Sequence, residues 1–529
     1  MSAHREAAEL YRRARRTWPA RLPDADRAGL LAALACELAS IDENEEAAAC
    51  FSEAYDVRRE LGDDAGAAAL VPDWVAVRHL LGADLPTRTE ALRAALPLAA
   101  GQPATRAEIH AELAAAFMLA RRLDEALVDG ERARALSAGD GTRCHLDATV
   151  GSVLLFAGRT EEGTALLRDA ITTASALRLE AVAARAYRML GTSMSVLVEY
   201  AEATATLTEG IAYAERVEQF NDRHYMAAHL AHVQWATGDW TTAATTARQA
   251  LADGAGGITT EITARHVLGY VAMGRGSYGE AVSHLEAAEN LASGMGELQR
   301  LSPAWWGLAE TALAQGDFAT AVARCEQGYA ASALVNDAAY LFPYVVTGVR
   351  AHLAASGVTA ARDWLGRTSE RLLLRSIPGT LGALDHALGL IQLHEGQTGK
   401  ARLTLAAADS FWSGRHRFWE GTAILLDQAR CATRARRPAD AARFRAAAEH
   451  AYATAGAPAA PGRPATPAVS PLSTRELEVA RLVADGMTNR EIAAALTIAP
   501  KTAAAHVEHI RSKLGVSRRA QIATWVAAQ

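Results

Sequence analysis

A glycine or alanine recurs about every 40 residues through most of this 529-residue chain. Successive positions are 37 to 40 residues apart, at Ala126, Gly163, Ala203, Ala243, Ala281, Ala321, Ala361, Ala401 and Ala441. At five of them, the residue comes five places after the glycine of a turn-like cluster such as Gly158-Arg159-Thr160. A repeat of this length predicts one small structural unit per copy, which buries its apolar face only by stacking on its neighbours. The pattern therefore favours an extended array over a single globular core.

Two further small residues accompany most copies, twelve places before the repeat position and seven after it, as in Gly151, Gly163 and Ala170. The copy at Ala361 breaks this rule and is interpreted as degenerate. The stretches between the turns are rich in Ala, Leu, Glu and Arg, which predicts helices. The small residues are therefore expected where two antiparallel helices cross so closely that only a hydrogen or a methyl group fits.

This spacing resembles the tetratricopeptide (TPR) repeat, whose usual period is about 34 residues. A longer period resembles the TPR-like superhelices of large bacterial regulators, and residues 4–11 resemble the start of such a superhelix. Irregular earlier copies are expected around Ala47 and Ala91. The resemblance implies a concave face that binds a protein or a small-molecule effector, although most single residues are expected only to hold the array together.

The clearest boundary is a segment at residues 455–471 that contains five of the sixteen prolines: Pro458, Pro461, Pro464, Pro467 and Pro471. Proline at every third or fourth position prevents a helix or an internal strand, so an extended spacer is predicted. The sequence thus predicts an all-α chain made of a helical-repeat domain at residues 1–454, this linker, and a short domain at residues 472–529.

Charge differs between the two domains. Residues 472–529 contain eight Lys or Arg and five Asp or Glu, whereas the rest of the chain contains 46 and 55. This contrast indicates that only the end of the chain meets a polyanion. The chain contains three lysines, and two of them, Lys501 and Lys513, fall in one predicted helix of the short domain.

Cellular context follows from what the sequence lacks. No apolar run reaches the ~18–20 residues of a membrane span, and no signal-peptide core follows the first residues. The five cysteines are widely spaced and form no C-x-x-C pair: Cys36, Cys50, Cys144, Cys325 and Cys431. These features predict a cytoplasmic protein without a disulfide framework or a zinc module.

The short domain carries start and stop signals for four helices, at Ser473-Thr474-Arg475-Glu476, Gly486, Thr488-Asn489-Arg490-Glu491, Pro500, Gly515 and Ser517. The two four-residue strings are capping boxes, in which a Ser or Thr and a Glu three places later satisfy each other's backbone amides. Proline is tolerated in the first turn of a helix, and glycine ends one. Four short helices of this kind are typical of a helix-turn-helix unit with one additional helix.

The third of these helices has two different sides. At about 100° per residue, an apolar stripe runs along Ala503, Val507, Ile510 and Leu514. The opposite side gathers Lys501, Ala504, Ala505, Glu508, Arg511 and Ser512. Such a helix fits a major groove about 12 Å wide. Lys501 and Arg511 are then expected to neutralise phosphates, with Thr502 and Ser512 also at the groove rim.

The domain resembles the LuxR family of helix-turn-helix regulators. The matching strings are Leu472-Ser473-x-Arg475-Glu476-x-Glu478-Val479, Gly486-x-Thr488-Asn489-x-Glu491-Ile492-Ala493, Lys501-Thr502-x-x-x-His506-Val507 and Lys513-Leu514-Gly515-Val516. The resemblance implies that Ala504, Ala505 and Glu508 read bases and that the fourth helix supports a dimer. The family usually has Ser in place of Ala499 and Val in place of Ala503, so a helix cap and some core volume are lost here.

Larger members of that family carry an ATP-binding domain before a TPR-like superhelix. This chain contains no G-x-x-x-x-G-K-[ST] motif, and the nearest string, at residues 396–401, has the wrong spacing and coincides with a predicted turn. The sequence is interpreted either as a regulator without this ATPase or as a truncated version of a larger one.

Other candidate sites are weaker. His224, His229 and His232 do not align on one helical face, so a metal site is not predicted. Trp305-Trp306 and the aromatic string at residues 340–344 favour packing between repeats over the lining of a ligand groove. No catalytic motif is present, so neither an enzyme nor a cofactor is predicted.

The sequence therefore predicts a cytoplasmic transcription regulator that binds double-stranded DNA as a homodimer and senses an effector through its repeat domain. One alternative is an interaction scaffold whose helix-turn-helix no longer reads DNA. A second alternative is the remnant of an ATP-dependent switch, with a separate ATPase that binds the superhelix.

Overall fold

The computed structural model describes residues 3–19, 22–136, 139–252, 256–457, 472, 474–514, 516 and 518–527. These residues form 27 α-helices and one short 3-10 helix, at Pro378–Thr380, and no strand. None of the described helices is both long enough and apolar enough to cross a membrane. The chain divides into two compact units, Met1–Gly462 and Arg463–Gln529. The predicted all-α fold is confirmed.

The first unit contains 23 described helices: α1 (Ala3–Arg16), α2 (Asp24–Ser40), α3 (Asn44–Glu60), α4 (Asp64–Leu80), α5 (Leu85–Leu98), α6 (Pro103–Leu119), α7 (Leu123–Arg134), α8 (Asp140–Phe156), α9 (Thr160–Ala176), α10 (Glu180–Val196), α11 (Tyr200–Arg216), α12 (Phe220–Ala236), α13 (Trp240–Ala252), α14 (Gly257–Gly274), α15 (Tyr278–Ser293), α16 (Leu298–Gln315), α17 (Phe318–Leu334), α18 (Phe342–Ala355), α19 (Val358–Arg375), α20 (Gly382–His394), α21 (Thr398–Gly414), α22 (Phe418–Arg434) and α23 (Pro438–Thr454). From α2 onward, each even-numbered helix packs against the odd-numbered helix that follows it. The even-numbered helices also pack on one another from hairpin to hairpin, which makes a continuous inner layer.

The repeated small residues lie where the two helices of a hairpin cross, as predicted. Gly151 in α8 faces Gly163 in α9. A Cβ atom on Gly163 would lie 2.6 Å from the carbonyl oxygen of Gly151, so no side chain fits there. The alanines at the corresponding positions of the other hairpins are buried. This close approach lets the apolar faces of two helices meet without a gap.

Nine hairpin turns of the described residues are built around one residue with a left-handed backbone, five places before the repeat position, whereas the copy at Ala361 has it four places before, at Gly357. In the five copies with a clear turn signal this residue is glycine, with φ between 78° and 97°: Gly158, Gly238, Gly276, Gly316 and Gly396. Other copies place Asp42, Arg121, Val198 or Arg436 there, with φ between 56° and 72°. The turn is therefore conserved in geometry even where the glycine that signals it in the sequence is missing.

The copy at Ala361 forms a hairpin too, although its sequence pattern is degenerate. Its two helices, α18 and α19, approach through Gly348 and the buried ring of Trp364. A Cβ atom on Gly348 would lie 2.3 Å from that ring, so glycine is required one place before the expected position. A large ring against a glycine replaces the usual contact of two small residues.

Successive turns of the superhelix touch each other. Arg88 is bonded to Glu297, Arg121 Nε lies 3.3 Å from Asp337 Oδ2, and Arg415 Nη1 lies 2.5 Å from Glu199 Oε1. The residues of these three pairs are 209 or 216 positions apart, and other hydrogen bonds between turns join residues 177 to 217 positions apart. Since one repeat is about 40 residues, a superhelical turn takes about five hairpins.

The second unit contains α24 (Thr474–Ala484), α25 (Asn489–Ala495), α26 (Pro500–Leu514) and α27 (Ala520–Ala527). Its core is a single cluster of buried side chains: Leu472, Val479, Ala480, Val483, Ile492, Ala493, Ala503, Val507, Ile510 and Ile522. All four helices contribute to this cluster. The predicted helix-turn-helix unit with one additional helix is therefore present among the described residues.

Candidate nucleic-acid interface

The helix-turn-helix begins with the predicted capping box at the start of α25. The Thr488 amide donates to Glu491 Oε2 at 2.7 Å, and the Glu491 amide donates to Thr488 Oγ1 at 3.4 Å. The Glu491 carboxylate accepts hydrogen bonds from both the amide and the hydroxyl of Thr488, and these bonds lower the pKa of Glu491 because they favour its charged form. The box fixes the direction in which the chain enters α25. The other predicted box, at Ser473, and the predicted signals at Gly515 and Ser517 lie outside the described residues.

Four residues, 496–499, connect α25 to α26. Thr497 has a left-handed backbone, with φ of 54°, and the Ile498 amide donates back to the Ala493 carbonyl at 2.9 Å. At the start of α26, the carbonyl of Ala499 accepts the Thr502 amide at 2.9 Å. Ala499 has no side-chain oxygen, so only its backbone serves the first turn of this helix.

One side of α26 is fixed in the domain core. Ala503, Val507 and Ile510 are at most 5% exposed, and Leu514 is half-buried. These residues follow the helical period, so the whole helix is held with one side inward. The predicted apolar stripe is confirmed.

The other side of α26 carries five exposed side chains: Lys501, Thr502, Ala505, Glu508 and Ser512. Ala504 and Arg511 lie half-buried along one edge of this side. His509, which the family motif does not single out, is exposed at the other edge. The structure thus brings all seven predicted DNA-contacting residues to one helix. Their division into base-reading and phosphate-binding residues stays a prediction.

Glu508 and Arg511 form an ion pair on this outward side. Their side chains are 2.7 Å apart, from Arg511 Nη1 to Glu508 Oε1, and they are three residues apart on the helix. An exposed pair of this kind contributes little to stability. Its consequence is local, because Glu508 offsets the positive charge that Arg511 would present to a polyanion.

Three other basic residues hold the domain together. Lys513 Nζ donates to the buried carboxylate of Glu476 at 2.6 Å, which joins α26 to α24. Arg475 donates to the Leu496 carbonyl at 2.8 Å, and Arg519 donates to Asn489 Oδ1 at 2.6 Å. Sequence reasoning did not find these contacts. Lys513 therefore fixes the position of α26, although it is part of the basic excess of the domain.

The three histidines of α12 have separate partners in the first unit. His224 Nδ1 lies 3.2 Å from Asp42 Oδ2, and His229 Nδ1 lies 3.0 Å from Ser195 Oγ. The ring of His232 lies 5.8 Å from that of His266. No cluster of three or more metal-binding side chains occurs in the described part of the chain.

The aromatic strings have two roles in the structure. Trp305 and Trp306 belong to the core, as predicted, and Trp305 Nε1 donates to Glu289 at 2.8 Å. However, Trp306, Tyr340 and Phe342 also line an internal pocket of the first unit. The prediction that these aromatic residues only pack between repeats is therefore incomplete. The inner layer of helices leaves a space between its aromatic side chains, and some of them line it.

Comparison with known proteins assigns the second unit to a family. Residues 470–526 match the family of bacterial regulatory proteins called the luxR family. The chain is 48% identical over 54 residues to the transcriptional regulatory protein LiaR of Bacillus subtilis, which is 10% of this chain and 26% of that protein. It is 52% identical over 46 residues to the fimbriae Z protein of Salmonella typhimurium, which is 9% of this chain and 22% of that one. The C-terminal unit is thus a GerE/LuxR-family helix-turn-helix domain.

A putative HTH-type transcriptional regulator of Mycobacterium bovis is 39% identical over 51 residues, which is 10% of this chain and 6% of that protein. The chain therefore matches only a small part of the length of these curated relatives. Among solved structures, a complex titled as the APC/C hetero-tetramer Cut9-Hcn1 gives a TM-score of 0.44 at 12% identity, covering 99% of this chain and 96% of that one. A Rap protein complexed with a competence and sporulation factor gives 0.36 at 11% identity, covering 82% and 99%.

Proposed function

We propose that this chain is a transcription regulator that binds double-stranded DNA through α26 and senses an effector through its first unit. The observation that supports this proposal is the two-sided burial of α26 within a LuxR-family domain. One side is fixed in the core, and the other presents Lys501, Ala505, Glu508 and Ser512 to solvent. A major groove about 12 Å wide accommodates a helix presented in this way.

The proposed contacts follow from the position of each side chain on α26. Lys501 and Arg511 neutralise phosphates at the groove rims, and Thr502 and Ser512 donate hydrogen bonds there. Ala504, Ala505 and Glu508 face the base edges, where a methyl group can touch thymine and a carboxylate can accept from the cytosine amino group. For Arg511 to reach a phosphate, its ion pair with Glu508 opens.

We also propose that the chain pairs on DNA through α27. Ile522 anchors this helix in the core, whereas Trp525 and Val526 are half-buried and keep part of their apolar surface accessible. A large aromatic side chain in that position is typical of a contact surface. Sedimentation of the full chain with a duplex tests this arrangement, since two copies per duplex are expected. One copy on every duplex tested would contradict it.

The central test compares two lysine variants in a gel-shift titration against duplexes from upstream regions of the source genome. Lys501→Ala is expected to weaken binding to every duplex and to reduce the salt dependence by about one phosphate contact. Lys400→Ala is the matched control, because Lys400 is exposed on α21 in the repeat unit and is expected to change neither quantity.

Absence of binding to any duplex at low ionic strength would contradict the regulator function. It would favour the scaffold interpretation, in which the folded domain contacts only proteins. Equal effects of the two lysine variants would contradict the proposed role of α26, even if the full chain binds DNA.

A further inference from the structure

The first unit contains an internal pocket on the inner side of its superhelix. Its walls come from α10, α12, α14 and α16, with the first residue of α11, the residues before and at the start of α18, and the residue before α22. The space between these side chains is about 650 Å³, part of which is open to solvent.

Three aromatic rings form one wall of the pocket. The ring centres of Trp235 and Tyr270 are 4.6 Å apart, and those of Tyr270 and Trp306 are 5.0 Å apart at nearly a right angle. All three side chains are buried, and they hold one another in place. A rigid wall of this kind suits a flat apolar group, because little side-chain freedom is lost when the group binds.

Several polar atoms of the pocket residues make no hydrogen bond among the described residues. Arg300 is 4% exposed and donates through Nη1 to the Tyr225 hydroxyl at 2.7 Å, whereas its buried Nε makes no hydrogen bond among the described residues. His266 Nδ1 and Trp235 Nε1 are buried and also lack a partner there. A buried donor without an acceptor destabilises the folded protein. Binding of a ligand that supplies an acceptor is therefore favoured.

The charges around the pocket are unbalanced. Among the described residues, no Asp or Glu lines it. Behind its wall, the single buried carboxylate of Glu297 serves Arg88, to which it is bonded, and also lies 3.5 Å from Arg300 Nε and 3.6 Å from His79 Nδ1. Two guanidinium groups thus share one carboxylate in a buried site. The nearby Arg417 has its own partner, Glu420, at 2.5 Å. An anion beside Arg300 would balance the excess positive charge.

The histidines of the pocket add no charge at neutral pH. Burial lowers the pKa of His266 to about 3 and also lowers the pKa values of His229 and His232 well below the ordinary value. Their neutral rings offer a donor and an acceptor on a flat surface. The pocket therefore combines apolar walls, neutral polar edges and one guanidinium group with a free donor.

We infer that this pocket binds a small aromatic carboxylic acid, with its ring against Trp235, Tyr270 and Trp306 and its carboxylate on Arg300. The inference rests on the proposed sensing function, for which it names the chemical class of the effector. A guanidinium group and a carboxylate make a strong charge-assisted hydrogen bond in a buried site. An aliphatic acid lacks the flat group, and an aromatic amide lacks the charge.

The test is calorimetric titration of the full chain with benzoate, phenylacetate and indole-3-acetate. At least one of them is expected to bind with a Kd below about 1 mM. The amide of the same compound and hexanoate are each expected to bind at least tenfold more weakly. Equal affinities for acid and amide, or no binding by any of the three acids, would overturn the inference.

Two pairs of variants locate the binding. Arg300→Gln is expected to weaken acid binding at least tenfold, whereas Arg324→Gln, which changes an arginine paired with Glu289 outside the pocket, is expected to leave it unchanged. If circular dichroism shows that Arg300→Gln does not fold, Tyr340→Phe replaces it. That change removes a hydroxyl of a pocket-lining residue that bonds to no described residue, so acid binding is expected to weaken, and Tyr329→Phe, outside the pocket, is its control. Unchanged binding by the folded pocket variant would overturn the inference.

The outcome is independent of DNA binding. Acid binding without affinity for any duplex would contradict the proposed regulator function but leave the pocket assignment in place. DNA binding without acid binding would overturn only the pocket assignment.

Discussion

The carboxylate of Glu508 occupies the outward side of α26, where a duplex would bring its phosphates. It already holds the guanidinium group of Arg511 at 2.7 Å. A negative charge at this position opposes binding to any polyanion, and the proposed contact with a base edge is the interaction that would offset this cost. A change at Glu508 is therefore expected to affect the affinity for a specific duplex and the affinity for DNA of any sequence in different ways.

Glu508→Gln is expected to raise the affinity for a random-sequence duplex several-fold, because one negative charge is lost and Arg511 is released. Fluorescence anisotropy with a labelled duplex at low salt measures the effect. Glu162→Gln is the control, since Glu162 forms a similar exposed pair with Arg159 in the repeat unit. A lower affinity of Glu508→Gln for the random duplex would contradict the orientation proposed for α26.

At the residue scale, the sequence predicts which side chains of α26 point into the core, but it does not predict the contacts that join α26 and its neighbours through basic residues. Ala503, Val507 and Ile510 follow the helical period, which is a local property of the sequence. The contacts of Lys513 with Glu476 and of Arg475 with a carbonyl depend on how three helices pack. A basic residue in a basic domain gives no local sign of which kind of partner it has.

At the element scale, the hairpin turn is the feature on which the repeat depends. Gly158 and Gly396 have φ of 88° and 78°, so alanine at either position would be strained. They differ in their surroundings. A Cβ atom on Gly158 would lie 2.0 Å from the Arg375 carbonyl, whereas a Cβ atom on Gly396 would meet no atom within 4 Å.

Gly396→Ala is therefore expected to cost about 1 kcal/mol of stability, from the left-handed backbone alone. Gly158→Ala is expected to cost clearly more, because the Arg375 carbonyl must also move. Urea denaturation of both variants, followed by circular dichroism, measures the difference. Equal losses would show that the contact between the turn at Gly158 and the end of α19 is not maintained in solution.

The same elements explain which parts of the repeat could be predicted. Glycine marks five turns, so those hairpins are visible in the sequence. Val198 and Arg121 adopt the same left-handed backbone, but neither residue type favours it. The sequence therefore does not indicate these turns, because the strained backbone is imposed by the surrounding helices. The contact of Trp364 with Gly348 explains why the sequence pattern of the copy at Ala361 is degenerate. In this copy the two helices meet through a large ring and a glycine, not through two small residues.

At the scale of the whole molecule, the contacts between superhelical turns could not be predicted. They depend on the pitch of the array, which results from small rotations added over about five hairpins. A sequence repeat with a period of 40 residues does not reveal the rotation between successive hairpins, so it does not predict which hairpins meet one superhelical turn later. The internal pocket has the same origin, since its walls come from helices of several consecutive hairpins.

Stability is expected to fall as the pH is lowered below about 6.5. Burial lowers the pKa values of His79 and His266 to about 3, so both stay neutral in the folded protein. The unfolded chain binds protons on these residues below their ordinary pKa of about 6.5, which favours unfolding. Between these folded-state and unfolded-state pKa values, each histidine lowers the free energy of unfolding by about 1.4 kcal/mol for every unit by which the pH falls. Above pH ~6.5 it has no such effect.

Urea denaturation at about pH 7.5 and 5.5 checks this expectation. His266→Gln is expected to narrow the difference in stability between the two conditions by about 1 kcal/mol. His450→Gln, which changes an exposed histidine on α23, is the control and is expected to leave the difference unchanged. A stability of the native chain that does not decrease at the lower pH would contradict the burial of these rings.

Glu297 tests whether the superhelical turns depend on one another for stability. Burial alone would raise its pKa, but the guanidinium groups of Arg88 and Arg300 help to lower it, so the carboxylate stays charged between two turns. Glu297→Gln leaves two buried guanidinium groups without their counter-charge and is expected to cost about 3–5 kcal/mol. Glu289→Gln is the control, because Glu289 joins only neighbouring hairpins, through Trp305 and Arg324. If both variants lose the same small amount in urea denaturation, the hairpins are stabilised by their neighbours alone, and the contacts across a superhelical turn contribute little.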